Sequence, residues 1–192
     1  MKKLYRAVEL YNCKPFERHK KHYFTGNDIR ETGVLFENVA RYHKGLNTSQ
    51  FVYDFMTSWT RDSLDFAIPR GLDMSGWEIF LQYVELDLGG DFQKLPKLKE
   101  GQEETPYMLL ERNWIGECYI MLGYMLKIPS MEIIKIFPWD AMREYFTVGH
   151  ERDQYQAVEI LIEDCKEFID KKESIIWTPR RVKPIPLVKE EE

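Results

Sequence analysis

Residues 106–127, PYMLLERNWIGECYIMLGYMLK, decide the fold of this chain. At 100° per residue, Leu110, Trp114, Cys118, Met121 and Met125 fall on one stripe of a helix, and Ile115, Tyr119, Leu122 and Leu126 lie beside them. A helix that is apolar on most of its faces needs partners on several sides, so it belongs at the centre of a bundle. Its predicted start is Thr105 as cap with Pro106 at the first helical position, where the missing amide hydrogen costs little. The longest apolar run in it, CYIMLGYML, is about half of the ~20 residues a membrane-spanning helix requires. The neighbours must therefore be other helices of the same chain.

Sequence on both sides supplies them. Downstream, Ser130 is the expected cap of a short helix to Phe137; Pro138 breaks it, and WDAMREYFTV restarts and ends at Gly149. A last helix is predicted from Asp153 to Lys172, with Tyr155, Val158, Ile162, Cys165 and Ile169 on one face and Leu161 and Phe168 widening it. Upstream, Ser75 and Glu78 stand at capping-box spacing before a helix that ends at Gly89-Gly90. Trp77, Phe80, Leu81, Val84 and Leu88 form its expected buried face. Thr48 or Ser49 caps a helix bearing Val52, Phe55, Met56 and Trp59, and residues 28–44 make another, closed by Gly45. Residues 89–105 read as a long polar connection.

The expected fold class is mainly α: an irregular bundle of six to seven helices, with the helix at 106–127 packed by those at 75–88 and 153–172. A short N-terminal strand or irregular segment precedes it, and TPRRVKPIPLVKEEE continues as an extended Pro-rich tail. Residues 1–178 are expected to form a single helical domain, with 1–27 as a basic appendage and 179–192 as the tail. No internal repeat is visible.

Composition narrows the function classes. The chain has 192 residues, 44% of them hydrophobic, enough to bury a sizeable core without metals or disulfides. Its three cysteines, Cys13, Cys118 and Cys165, are odd in number and far apart, which excludes a disulfide framework and a zinc ribbon. MKKLYRAVEL breaks its apolar run at Arg6 and Glu9, so no signal peptide is read, and a cytoplasmic protein with no membrane partner is expected. Net charge is −5, unevenly spread: residues 1–50 carry ten Lys and Arg against five Asp and Glu, the remainder 17 against 27. A basic start joined to an acidic body suggests two surfaces with different partners.

The motifs point away from catalysis. In TVGHERDQYQAV, residues 147–158, His150, Glu151 and Asp153 stand together. Adjacent positions diverge by about 100° on a helix, however, and neither a His-Glu-x-x-His nor a calcium loop is present. Gly149 closes one helix and Asp153 opens the next, so these three residues are expected to form a polar corner. An enzyme with a site at this helix junction near His150 is the alternative. His19 and His22 have no third ligand at a fixed spacing, so no metal and no cofactor are expected. No phosphate loop or nucleophile elbow occurs.

Lys14, Arg18, Lys20 and Lys21 in KPFERHKKHYF are candidate interaction residues, and basic side chains interleaved with aromatics support a second alternative, a nucleic-acid-associated protein. The helix-turn-helix outline of IPSMEIIKIFPWDAMREYF is discounted, because Asp140 and Glu144 against Arg143 would repel phosphates. Trp59, Trp77, Trp114 and Trp139 read as core. Trp177, beside Ile175 and Ile176, is a candidate anchor or interaction residue.

One further feature bears on function. Residues 111–163 combine an aromatic-rich helix, a Ser-x-x-Ile start at Ser130 to Ile133, Tyr145 five residues before His150, and a final amphipathic helix. This outline resembles that of small uncharacterised helical proteins encoded beside ADP-ribosyltransferase-like toxins. The resemblance implies a non-enzymatic protein-interaction module, antitoxin- or immunity-like, that binds and regulates a protein partner; it implies no catalytic residue.

Overall fold

A computed structural model describes residues 26–65, 74–102, 109–126 and 128–165. They form α1 (Gly26–Tyr42), α2 (Thr48–Met56), α3 (Trp59–Asp65), α4 (Gly76–Asp87), a 3₁₀ turn (Phe92–Lys94), α5 (Leu109–Leu126), α6 (Ser130–Ile136), α7 (Trp139–Gly149) and α8 (Gln154–Asp164). The fold is mainly α, and no described helix is long and apolar enough to cross a membrane. The expected N-terminal strand or irregular segment, the Thr105-Pro106 start and the Pro-rich tail lie outside the described residues, as does Lys172, the expected end of the last helix; α8 itself ends at Asp164 with Cys165 as its cap.

Among the described residues eight α-helices stand where six to seven were expected for the whole chain, because residues 48–65 divide. The chain leaves α2 at Thr57, and Ser58 accepts from the Arg61 amide through its hydroxyl, starting α3. The cap of α2 is Asn47 rather than the expected Thr48 or Ser49: its side chain accepts from the Gln50 amide. At α4 the capping box of Ser75 and Glu78 is formed in both directions. Gly89 and Gly90 end it with φ of 68° and 77°, a left-handed pair that L side chains disfavour.

The core is organised around α5, but its main neighbour is α1, not α4 as expected; α4 lies instead against α1 and α3. Glycine is the reason. A Cβ at Gly116 would stand 2.9 Å from both the Gly33 Cα and the Thr32 carbonyl oxygen, and one at Gly33 would stand 2.7 Å from the Asn113 carbonyl oxygen. The two backbones touch where both side chains are missing. Gly76 does the same on the opposite side of α1, where a Cβ would fall 2.7 Å from the Leu35 nitrogen.

Aromatic rings fill the rest. Phe36 on α1 packs edge-on against Phe51, Phe55, Tyr119 and Trp139, joining three other helices through one side chain. Tyr119 satisfies its buried hydroxyl by donating to the Phe137 carbonyl at 2.9 Å. Not all of the expected α5 stripe is buried, since Leu110 is exposed.

The connection after α4 is less loose than its composition suggests. Leu95 is buried, the Asn47 amide donates to the Pro96 carbonyl, and the Leu98 amide donates to the Gly45 carbonyl. These contacts pin the 3₁₀ turn beside the end of α1.

Candidate functional site

Two groups of side chains invite a functional reading: a cluster of aromatic residues at the surface and a cluster of charges inside. The aromatic cluster forms where the end of α1, one edge of α4 and the 3₁₀ turn meet. Tyr42 is 64% exposed, Trp77 39%, Leu81 41% and Phe92 42%. The Tyr42 and Trp77 rings meet edge-on with centroids 6.1 Å apart, and Trp77 leans on Phe80 at 5.3 Å. Phe80 is fully buried and touches Phe92 at 6.0 Å. His43 completes the set, stacked on Phe92 with 13° between planes. Burial holds the His43 imidazole below its ordinary pKa, and its Nε2 has no hydrogen-bond partner among the described residues. The surface rings are thus footed on a buried ring, which fixes their positions.

Trp77 and Leu81 were expected in the buried face of α4. At 100° per residue the apolar positions of α4 span roughly 200°, more than α1 and α3 cover. Ile79, Phe80, Tyr83 and Val84 occupy the covered part. Trp77 and Leu81, one turn apart, are left on its open edge. An apolar arc wider than one neighbour buries was the available signal.

Inside, Arg61 on α3 is fully buried and surrounded by acceptors. Its Nη1 and Nη2 donate to the two oxygens of Asp28 at 3.2 and 3.1 Å, its Nε donates to Asp65 at 3.0 Å, and Thr32 takes a further contact at 3.3 Å. Asp65 also accepts from the Ser130 amide at 2.7 Å and its hydroxyl at 2.8 Å. Ser130 therefore does not cap α6 with its own side chain as expected; a carboxylate of α3 does so. Burial alone would lower the Arg61 guanidinium, and the adjacent Asp28 and Asp65 carboxylates reverse this and hold it above its ordinary value. Burial raises Asp65, against the opposing pull of Arg61 and Ser130. These groups tie α1, α3 and α6 together.

The residues singled out from the sequence fall elsewhere. Lys14, Arg18, Lys20, Lys21 and Trp177 lie outside the described residues. His150 is the residue that closes α7: its Nδ1 lies 2.7 Å from the Phe146 carbonyl, and its ring stacks on Phe146 at 4.5 Å. Because a carbonyl can only accept, Nδ1 carries the proton in this contact. Asp153 caps α8 by accepting from the Tyr155 and Gln156 amides, and Glu151 is exposed. His150 and Asp153 are thus each engaged with the backbone of a different helix end, and neither pairs with Glu151. Among the described residues no group of His, Cys, Asp and Glu side chains could hold a metal ion. The Cys118 thiol is buried and pushed up by that burial, which leaves it poor in thiolate.

No family model matches the chain, and no curated protein or solved structure shows significant similarity to it.

Proposed function

We propose that the chain is a non-enzymatic helical module that binds and regulates a protein partner, in the manner of an antitoxin or immunity protein, and that the aromatic surface of Tyr42, Trp77, Leu81 and Phe92 is its contact. The observation that carries this reading is that three large aromatic side chains and a leucine are held exposed on rigid elements, side by side. Exposed apolar groups cost solubility, and contiguous ones mark contact surfaces. Trp and Tyr are also the side chains that most often dominate interface energies, because they bury much area with little rotamer entropy to lose.

Charge favours a protein over a nucleic acid for this body. The chain carries 32 acidic against 27 basic side chains, a net charge of −5, which disfavours a phosphate backbone. The test is purification of the intact chain from its native cell beside a Trp77→Ala/Phe92→Ala variant. A protein held stoichiometrically by the native chain, inhibited by it and released by the variant is the expected result. Equal retention by both proteins removes this surface from the reading.

A further inference from the structure

We infer that the aromatic surface receives a basic, amphipathic segment of the partner, one that presents lysine or arginine beside apolar side chains. This rests on the protein-interaction reading above and specifies the chemistry of the occupant. Three observations lead to it. First, the surface is built of π-faces: Tyr42, Trp77 and Phe92 are all partly open to solvent, and a cation placed over such a face is attracted by the ring quadrupole. Second, the helix that supplies Trp77 and Leu81 carries Glu78 and Glu85 and no basic residue, its Asp87 being turned to the start of α3, and Asp91 adjoins Phe92. Two of the nearby cations are already engaged: Arg41 pairs with Glu37, and the Lys94 ammonium donates to the Leu88 carbonyl at 2.7 Å. The Lys97 ammonium donates to Gln93 at 2.9 Å, and Lys44 and Lys99 are further exposed cations on the connections beside this surface. Third, the chain's net charge of −5 favours the approach of a basic segment over an acidic one.

The apolar part of the segment has a place as well. Trp77 and Leu81 lie one turn apart on α4, the spacing at which a partner helix inserts side chains of its own. Tyr42 bounds that ridge on one side.

The experiment uses two fluorescein-labelled synthetic peptides of equal length and apolar pattern, one of leucine and lysine, the other of leucine and glutamate, titrated with the full chain and read by anisotropy. The leucine–lysine peptide is expected to bind, with affinity falling about tenfold in Trp77→Ala and in Phe92→Ala and severalfold in Glu85→Lys. Val148→Ala, an exposed change on α7, should leave it unaltered. Thermal unfolding of each variant checks that the fold is retained. Equal binding of both peptides overturns the inference, since the surface would then read apolarity alone. Leucine–lysine binding that ignores Trp77→Ala also overturns it, since net charge alone would then account for the affinity. If neither peptide binds while Trp77→Ala/Phe92→Ala still releases the native partner, the basic segment is wrong and the interaction surface stands.

Discussion

Replacing Arg61 by methionine keeps a side chain of similar length and removes the charge that Asp28 and Asp65 share. Both carboxylates are nearly inaccessible, with 2% and 4% of their side chains exposed, so water cannot take over the lost hydrogen bonds. Removing one partner of a buried ionic group typically costs about 3–5 kcal/mol, because the remaining charge is left desolvated. For a chain of this size each kcal/mol shifts the midpoint by about 2–4 °C, giving an expected fall of about 6–20 °C in Tm. Urea unfolding followed by circular dichroism measures the free energy directly. The loss is electrostatic rather than steric, so adding Asp28→Asn and Asp65→Asn to Arg61→Met should recover a substantial part of it. A cost below about 1 kcal/mol for the single variant, or no recovery in the triple, would refute the assignment of this network as a linchpin between α1, α3 and α6.

Three other outcomes follow from the same contacts. Burial raises the Asp65 pKa, so between the ordinary carboxylate value of about 4 and that raised value the folded state holds a proton that the unfolded chain has released. That contribution favours folding below pH ~4 and is lost as pH rises through the folded value. Relative to Asp65→Asn, the native chain should therefore lose stability as pH rises from about 4, and a pH-independent difference in urea midpoints would contradict this. Gly116→Ala improves helix propensity by about 1 kcal/mol, yet its methyl group meets backbone atoms of α1 that cannot rotate away. A net loss of about 1–2 kcal/mol is expected in urea titrations, and a stabilised protein would show that α1 and α5 can separate freely. Asp87→Ala strips the start of α3 of the acceptor for the Trp59 and Thr60 amides and should cost about 1–2 kcal/mol. Asp87→Asn, which keeps an acceptor oxygen, should recover part of that loss in the same assay.

What the sequence disclosed and what it hid divide along a physical line. Signals that act within one turn were legible: the capping box of Ser75 and Glu78, the glycine stops at Gly45 and Gly89-Gly90, and the apolar surround of α5. The start of α3, which was not read, and that of α6, assigned to the wrong cap, are supplied from a distance, and a distant carboxylate adds to the local capping box at α4. The Gly76 amide donates to Glu31, 45 residues away; the Trp59 amide to Asp87, 28 away; the Ser130 amide to Asp65, 65 away. In each case a carboxylate on one helix lies against the positive end of another, where the helix dipole favours an anion. A local reading sees Ser130 as a cap and gives no role to Asp65. Both are instead buried halves of one contact, and nothing in the residues flanking either one announces the other.

The same division explains the interaction surface. Periodicity places Trp77 and Leu81 on an apolar arc and can go no further, because whether that arc is covered depends on the width of α1 and α3, elements distant in sequence. The glycines at 33 and 76 draw the backbone of α1 close to α5 and to the start of α4. Close approach near the middle of α1 is compatible with an open edge at its C-terminal end, where Tyr42 and Trp77 meet in the solvent. If a long side chain at 33 or 76 forced these helices apart, the edge would be remodelled along with the core. Substitutions at the crossing should therefore alter partner binding without touching the partner, whereas Trp77→Ala should alter binding and leave the core intact.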